Sequence, residues 1–164
     1  MSEVTSRPDD RFTQNYEAYG TMLYRISLLT LGNTADAEEA VQETFVKLLY
    51  QAPAFRDPEH EKAWLIRVIT NHCRSQRRGI WHSRVQRMEN LEEWLPAVRQ
   101  PDRPILEQVM LLHRRYRIVL YLHYYEDYSV KEIADLLDIG ESAVKMRLKR
   151  GRELLRLELE EKEA

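Results

Sequence analysis

Several features that define common protein classes are missing from this 164-residue sequence, and each absence excludes a class. Cysteine occurs once, at Cys73, which excludes an internal disulfide and a cysteine-rich zinc site. The five glycines form no Gly-x-Gly array, so the usual phosphate-cradling loops are excluded. No apolar run approaches the roughly 18 residues of a membrane span, and the N-terminus lacks the apolar core of a secretory signal. We therefore expect a soluble cytoplasmic protein with no membrane insertion.

A dominant charge is absent as well, since 25 Lys and Arg residues against 27 Asp and Glu residues give a formal net charge of −2. The charges are nevertheless distributed unevenly along the chain. Residues 62–87 hold seven basic residues and no acid, and residues 145–156 hold six basic residues and one acid. Residues 1–61 hold eleven acidic and five basic residues. Two separate basic segments in acidic surroundings indicate two contacts with a polyanion.

Apolar residues recur at helical spacing along most of the chain, and no segment alternates as a strand does. Asn33 or Thr34 is predicted to cap the second helix, which ends before Pro53. A third helix is predicted from about Lys62 to Arg78. The sequence therefore predicts an all-α fold.

Composition divides this helical chain into two parts. Prolines punctuate residues 81–103, where no long apolar face persists apart from a short amphipathic turn at 91–95. We predict a linker at 81–103 between small helical domains at 8–80 and 104–160. The second domain contains the most specific local pattern of the chain.

That pattern is a helix-turn-helix at residues 129–156. Ser129 and Glu132 have the spacing of a capping box, which begins its first helix. Asp138 lies in the turn, where such motifs commonly have glycine, and aspartate tolerates the left-handed conformation needed there. The second helix begins near Glu141 and places basic side chains outward, where a major groove can accept them. An ordinary helical hairpin with a solvated basic face is the alternative.

A basic surface of another kind is predicted on the third helix. Its outward stripe combines arginines with one asparagine at steps of four, three and four: Arg67, Asn71, Arg74 and Arg78. Asparagine can hydrogen-bond a base edge, and arginine binds phosphates or stacks on bases. With Phe55 and Arg56 in the preceding loop, this set suits an unpaired base better than a closed duplex.

Three segments resemble bacterial sigma factors. DAEEAVQETF at 36–45 resembles their second conserved region, and AWLIRVITN at 63–71 resembles the segment that melts and reads the −10 element. YRIVLYLHYYE at 116–126, followed by 129–152, resembles the −35-reading domain. The short chain is most similar to the extracytoplasmic-function (ECF) members of the sigma-70 family. This resemblance implies a non-enzymatic subunit of RNA polymerase, with no catalytic residue, cofactor or metal, that directs promoter-specific initiation.

The resemblance also assigns roles to individual residues. The core polymerase would bind one face of the second helix: Glu39, Gln42, Glu43 and Val46. The melted −10 element would be bound by the third helix and the loop before it: Phe55, Arg56, Arg67, Asn71, Arg74, Arg77 and Arg78. The −35 duplex would be contacted by the second helix of the helix-turn-helix: Ser142, Lys145, Met146, Arg147, Lys149 and Arg150. The free protein would be a monomer that binds promoter DNA poorly, and an anti-sigma factor is a further expected partner.

Two other functions stay open on the sequence alone. A stand-alone regulator that binds an operator as a dimer would use residues 129–156 but would leave the basic stripe and the acidic helix at 36–50 without a role. A metal-dependent enzyme is indicated only by scattered candidate ligands: His60, His72, Cys73 and His82. Their spacing matches no metal-ligand motif.

Overall fold

The computed structural model describes residues 8–80 and 103–163, with side chains at 12–76 and 107–156. These ranges hold seven α-helices and one π-helical turn, and they contain no strand. The all-α prediction is confirmed. The predicted linker lies outside the described residues apart from Arg103, which begins a helix, and the predicted turn at 91–95 lies wholly outside them.

The first three helices pack together and form the N-terminal half: α1 (Pro8–Leu31), α2 (Thr34–Gln51) and α3 (Pro58–Ile80). Their shared core includes fully buried side chains from all three: Leu23, Ile26, Phe45, Leu65 and Ile69. Gly32 follows α1 at a φ of 80°, a left-handed conformation that favours glycine. Asn33 then caps α2, because its side chain accepts a hydrogen bond of 2.8 Å from the backbone N–H of Asp36.

The start of α3 differs from the prediction. The helix begins at Pro58 rather than near Lys62, because proline suits the first helical position and its missing N–H has no helical partner to lose. The Asp57 side chain accepts a hydrogen bond of 2.7 Å from the backbone N–H of His60 and so supports this earlier start. The loop before α3 is consequently confined to residues 52–57.

Four further helices form the C-terminal half: α4 (Arg103–Leu111), α5 (Arg114–Leu120), α6 (Val130–Leu137) and α7 (Glu141–Glu163), with the π-helical turn Tyr121–Tyr125 directly after α5. Helices α6 and α7 are the predicted helix-turn-helix. Asp138 ends α6 in the left-handed conformation, at a φ of 54°. A side chain at Gly151 of α7 would place its Cβ 3.0 Å from Leu120 Cδ1, so glycine permits the close approach of α7 to α5. The boundaries 8–80 and 104–160 stay predictions.

The predicted capping box is present at the start of α6. Ser129 Oγ accepts a hydrogen bond of 3.1 Å from the Glu132 backbone N–H, and the Glu132 carboxylate accepts one of 3.0 Å from the Ser129 backbone N–H. Ser129→Ala should therefore lower the free energy of unfolding by about 1 kcal/mol, measured by urea denaturation followed by circular dichroism. Ser75, exposed inside α3, is the control, because Ser75→Ala removes no helix cap. Equal effects of the two substitutions would contradict the prediction.

The two halves contact each other through polar side chains. Lys62 Nζ of α3 lies 2.9 Å from Glu126 Oε2 and 5.3 Å from the centre of the Tyr128 ring. Arg74 Nη2 donates a hydrogen bond of 2.7 Å to the carbonyl oxygen of Leu137, at the end of α6. The helix-turn-helix is therefore held against α3 in this arrangement of the chain.

Candidate polymerase and nucleic-acid interfaces

One face of α2 gathers the four residues predicted to bind core polymerase. Glu39, Gln42, Glu43 and Val46 are all exposed, while Val41, Phe45 and other residues of the opposite face are buried against α1 and α3. Helical periodicity explains this separation, since residues three and four apart share a face. The structure thus brings the four residues together on one accessible surface.

Two exposed apolar residues extend this face beyond the predicted set. Tyr50 is 81% exposed and Leu49 is 47% exposed, close to the 48% of Val46. Tyr50 follows Val46 by four residues, so it lies one turn further along the same stripe. Continuing the spacing of the predicted residues to the end of the helix would have found it.

An apolar groove adjoins the same face. It has a volume of about 830 Å³ and lies between α1 and α2, with Phe12, Tyr16 and Val46 among the residues that line it. The Phe12 and Tyr16 rings lie 5.6 and 5.4 Å from the Phe45 ring, measured between centroids. An apolar concave surface with a polar rim is typical of a protein-binding site.

The residues predicted to bind the −10 element lie on α3 and in the loop before it. Arg67 and Asn71 are exposed and one turn apart, so both can reach the same ligand. Arg56 is exposed, whereas Phe55 is half-buried, with its ring 5.6 Å from Trp64 between centroids. The Arg77 and Arg78 side chains lie outside the described residues.

Five of the six residues predicted to contact the −35 duplex are exposed on α7: Ser142, Lys145, Met146, Lys149 and Arg150. Met146 is 69% exposed, and Val144 and Leu148 hold the helix in the core with almost no exposed surface. Arg150 lies 3.5 Å from Glu153 on the same helix. The arrangement presents a mixed basic and polar face of one helix, which is the form in which helix-turn-helix proteins meet a major groove.

Comparisons with known proteins match both halves. The Sigma-70 region 2 model matches residues 16–82, and the Sigma-70, region 4 model matches residues 102–155. SigW of Bacillus subtilis, an ECF RNA polymerase sigma factor, is 27% identical over 97% of this chain and 94% of its own. SigV of the same organism, an RNA polymerase sigma factor, is 30% identical over 83% of each chain. The chain is an ECF sigma factor of the sigma-70 family.

A solved structure shares the fold of this sigma factor. The sigma factor RpoE of Bartonella quintana, crystallised with the anti-sigma factor NepR, aligns with a TM-score of 0.64 and 17% identity. The alignment covers 92% of this chain and 97% of RpoE. The family matches leave the alternative of a stand-alone regulator unfavoured, since region 2 accounts for α2 and α3, which that alternative leaves without a role.

Two predicted DNA contacts of the sigma factor do not lie with the others. Arg74 is half-buried and turned toward the C-terminal half, where it binds the carbonyl of Leu137. Arg147 is also half-buried. It lies two residues from both Lys145 and Lys149, and a step of two residues turns an α-helix by about 200°, so its side chain points away from both lysines. Both arginines line one cavity between the halves.

Two kinds of feature are absent from the described part of the sigma factor. No three His, Cys, Asp or Glu side chains there lie close enough to share a metal ion. No helix there is sufficiently long and apolar to cross a membrane.

Proposed function

We propose that this sigma factor binds core RNA polymerase through the exposed face of α2 and reads promoter DNA with α3 and α7. One observation carries the proposal: α7 presents an exposed basic face, α3 presents Arg67 and Asn71 one turn apart on its exposed surface, and a separate acidic and apolar face lies on α2. The first two faces suit nucleic acid, and the third suits a protein. The protein would act in the cytoplasm, where polymerase and promoter DNA meet.

The exposed faces of α7 and α3 suit different states of DNA. The side chains of α7 can bind base edges and phosphates of a closed duplex in the major groove. On α3, Asn71 can hydrogen-bond an unpaired base while Arg67 binds the strand beside it. Because unpairing costs a few kcal/mol per base, binding extruded bases compensates the cost of opening. No catalytic side chain is needed for this step.

Reading two separated elements requires the two halves to part. The predicted linker at 81–103 can extend to at most ~80 Å, which exceeds two turns of DNA at ~34 Å each. The contacts of Lys62 with Glu126 and of Arg74 with Leu137 would have to break first. Binding to core polymerase would supply the free energy for this opening, and the closed chain alone would bind promoters poorly.

An anti-sigma factor is a second proposed partner of this chain. RpoE was solved bound to NepR, and the apolar groove and α2 face described above offer accessible surface to a protein. An inhibitor that covered α2 would exclude core polymerase directly.

Reconstituted transcription tests the proposal. The sigma factor and core polymerase together should start RNA synthesis at defined promoters, whereas core polymerase alone should not. Light scattering and footprinting on the chain without polymerase provide the control. A stable dimer that protects a palindromic site would overturn the proposal in favour of the stand-alone regulator.

Tyr50→Ala should weaken the binding of core polymerase about tenfold, because exposed tyrosines often dominate the free energy of protein interfaces. Fluorescence titration of labelled sigma factor with core polymerase measures this loss. The control is Tyr124→Ala, which removes another exposed aromatic ring, 56% accessible, from the C-terminal half. If Tyr50→Ala binds core polymerase as tightly as the unchanged protein, the end of α2 lies outside the interface.

A further inference from the structure

A strongly basic cavity lies between the two halves of the chain. Its volume is about 390 Å³, and four arginines from three helices line it: Arg74 of α3, Arg114 and Arg115 of α5, and Arg147 of α7. Arg114 and Arg115 belong to none of the predicted DNA or polymerase contacts. The cavity is therefore more than an extension of the faces described above.

The charge of this cavity lacks a carboxylate to offset it. None of the described residues that line it is acidic. Arg74 contacts a backbone carbonyl, and the Arg115 guanidinium lies 4.9 Å from the centre of the Tyr116 ring. Neither contact neutralises a positive charge, and like charges in a partly enclosed site repel each other.

The neighbouring Arg117 is affected by its own burial and by one of these arginines. Burial lowers the pKa of its guanidinium, and the charge of Arg114 lowers the pKa further. Arg117 donates a hydrogen bond of 2.7 Å to the carbonyl oxygen of Leu112 and one of 3.4 Å to that of Leu29 in the N-terminal half. The cluster therefore favours an anionic occupant that offsets several positive charges at once.

We infer that this cavity binds a compact anion with two or more phosphate groups. Its volume falls within the range of roughly 300–1,000 Å³ that is usual for small-molecule sites. A guanidinium group binds phosphate oxygens through a pair of parallel hydrogen bonds. Four guanidinium groups carry more positive charge than a single phosphate can offset.

The bound anion would link the two halves. Its partners come from α3 on one side and from α5 and α7 on the other, so it binds the closed arrangement in preference to an open one. Arg74 and Arg147 would then be held away from promoter DNA. This consequence for transcription rests on the proposed function, whereas anion binding itself does not.

Isothermal titration calorimetry of the full chain with inorganic tripolyphosphate, at constant ionic strength, tests the inference. We expect one equivalent to bind. Arg114→Gln combined with Arg115→Gln should weaken binding at least tenfold, and Arg74→Gln should weaken it at least fivefold from the other half. Lys131→Gln combined with Arg156→Gln removes the same charge from exposed positions outside the cavity and should change affinity less than twofold. Circular dichroism confirms that each variant is folded.

Three outcomes would overturn the inference. Several equivalents bound, with similar losses in both double variants, would show only general attraction to a basic surface. An unchanged affinity in Arg74→Gln would show that the site does not span the halves. If a nonspecific duplex loses affinity in the Arg114 and Arg115 variant as strongly as tripolyphosphate does, the arginines form a DNA surface instead. Reconstituted transcription without added anion does not depend on any of these three outcomes. Failure of the anion-binding inference would therefore not contradict the proposed function.

Discussion

Replacing Lys145 and Lys149 together with alanine should lower transcription from a promoter with both elements about a hundredfold, because each lost base or phosphate contact costs about 1–3 kcal/mol. Both lysines are exposed on the free face of α7, and neither contributes to the core. On a template melted beforehand around the −10 element, we expect the same variant to retain activity within about twofold. The measurement is run-off transcription with reconstituted polymerase on the two templates.

Lys131→Ala combined with Arg156→Ala is the charge-matched control for this experiment. Both residues are exposed in the C-terminal half, but neither is among the predicted −35 contacts. An equal loss of transcription in this control would show that Lys145 and Lys149 act only through their general positive charge. An equal loss on the pre-melted template would show that α7 acts in opening and would contradict the proposed division of labour.

Replacing Arg67 and Asn71 together with alanine should have a comparable effect with the opposite template dependence. We expect transcription to fall by a factor of about thirty to a hundred, because a base contact and a strand contact are lost together. The loss should persist on the pre-melted template, since these side chains would bind the separated strand. Run-off transcription and binding to a fluorescent single-stranded −10 oligonucleotide in the presence of core polymerase measure it.

Ser75→Ala, on the exposed surface of α3, controls for changes in the helix itself. Full recovery of the Arg67 and Asn71 variant on the pre-melted template would contradict a role in binding the unpaired strand. If only the Lys145 and Lys149 variant regains activity on the pre-melted template, the α3 and α7 faces act at different steps of initiation.

Local chemistry made much of the fold predictable. The cap at Asn33, the capping box at Ser129 and the left-handed Asp138 each depend on a few neighbouring residues, and all three are present. The sequence pattern predicts the start of α3 too late, although Asp57 and Pro58 carry the signal, because apolar periodicity becomes visible only further along the helix.

The candidate faces were predictable only as far as one helix determines them. Spacing along α2 and α7 identified exposed residues because a single amphipathic helix fixes which side faces the core. Arg74 could not be placed in this way, since its partner Leu137 lies 63 residues away in sequence. The cavity between the halves likewise depends on packing that no local pattern encodes.

The sole cysteine has a practical consequence. Cys73 has no exposed surface and lies on α3, the helix that carries Arg67 and Asn71. A thiol reagent can reach its sulfur only in molecules whose α3 has transiently left its neighbours, as in the local openings detected by hydrogen exchange. The rate at which Cys73 of the unaltered chain is labelled therefore reports how often α3 opens locally, and no engineered probe is required.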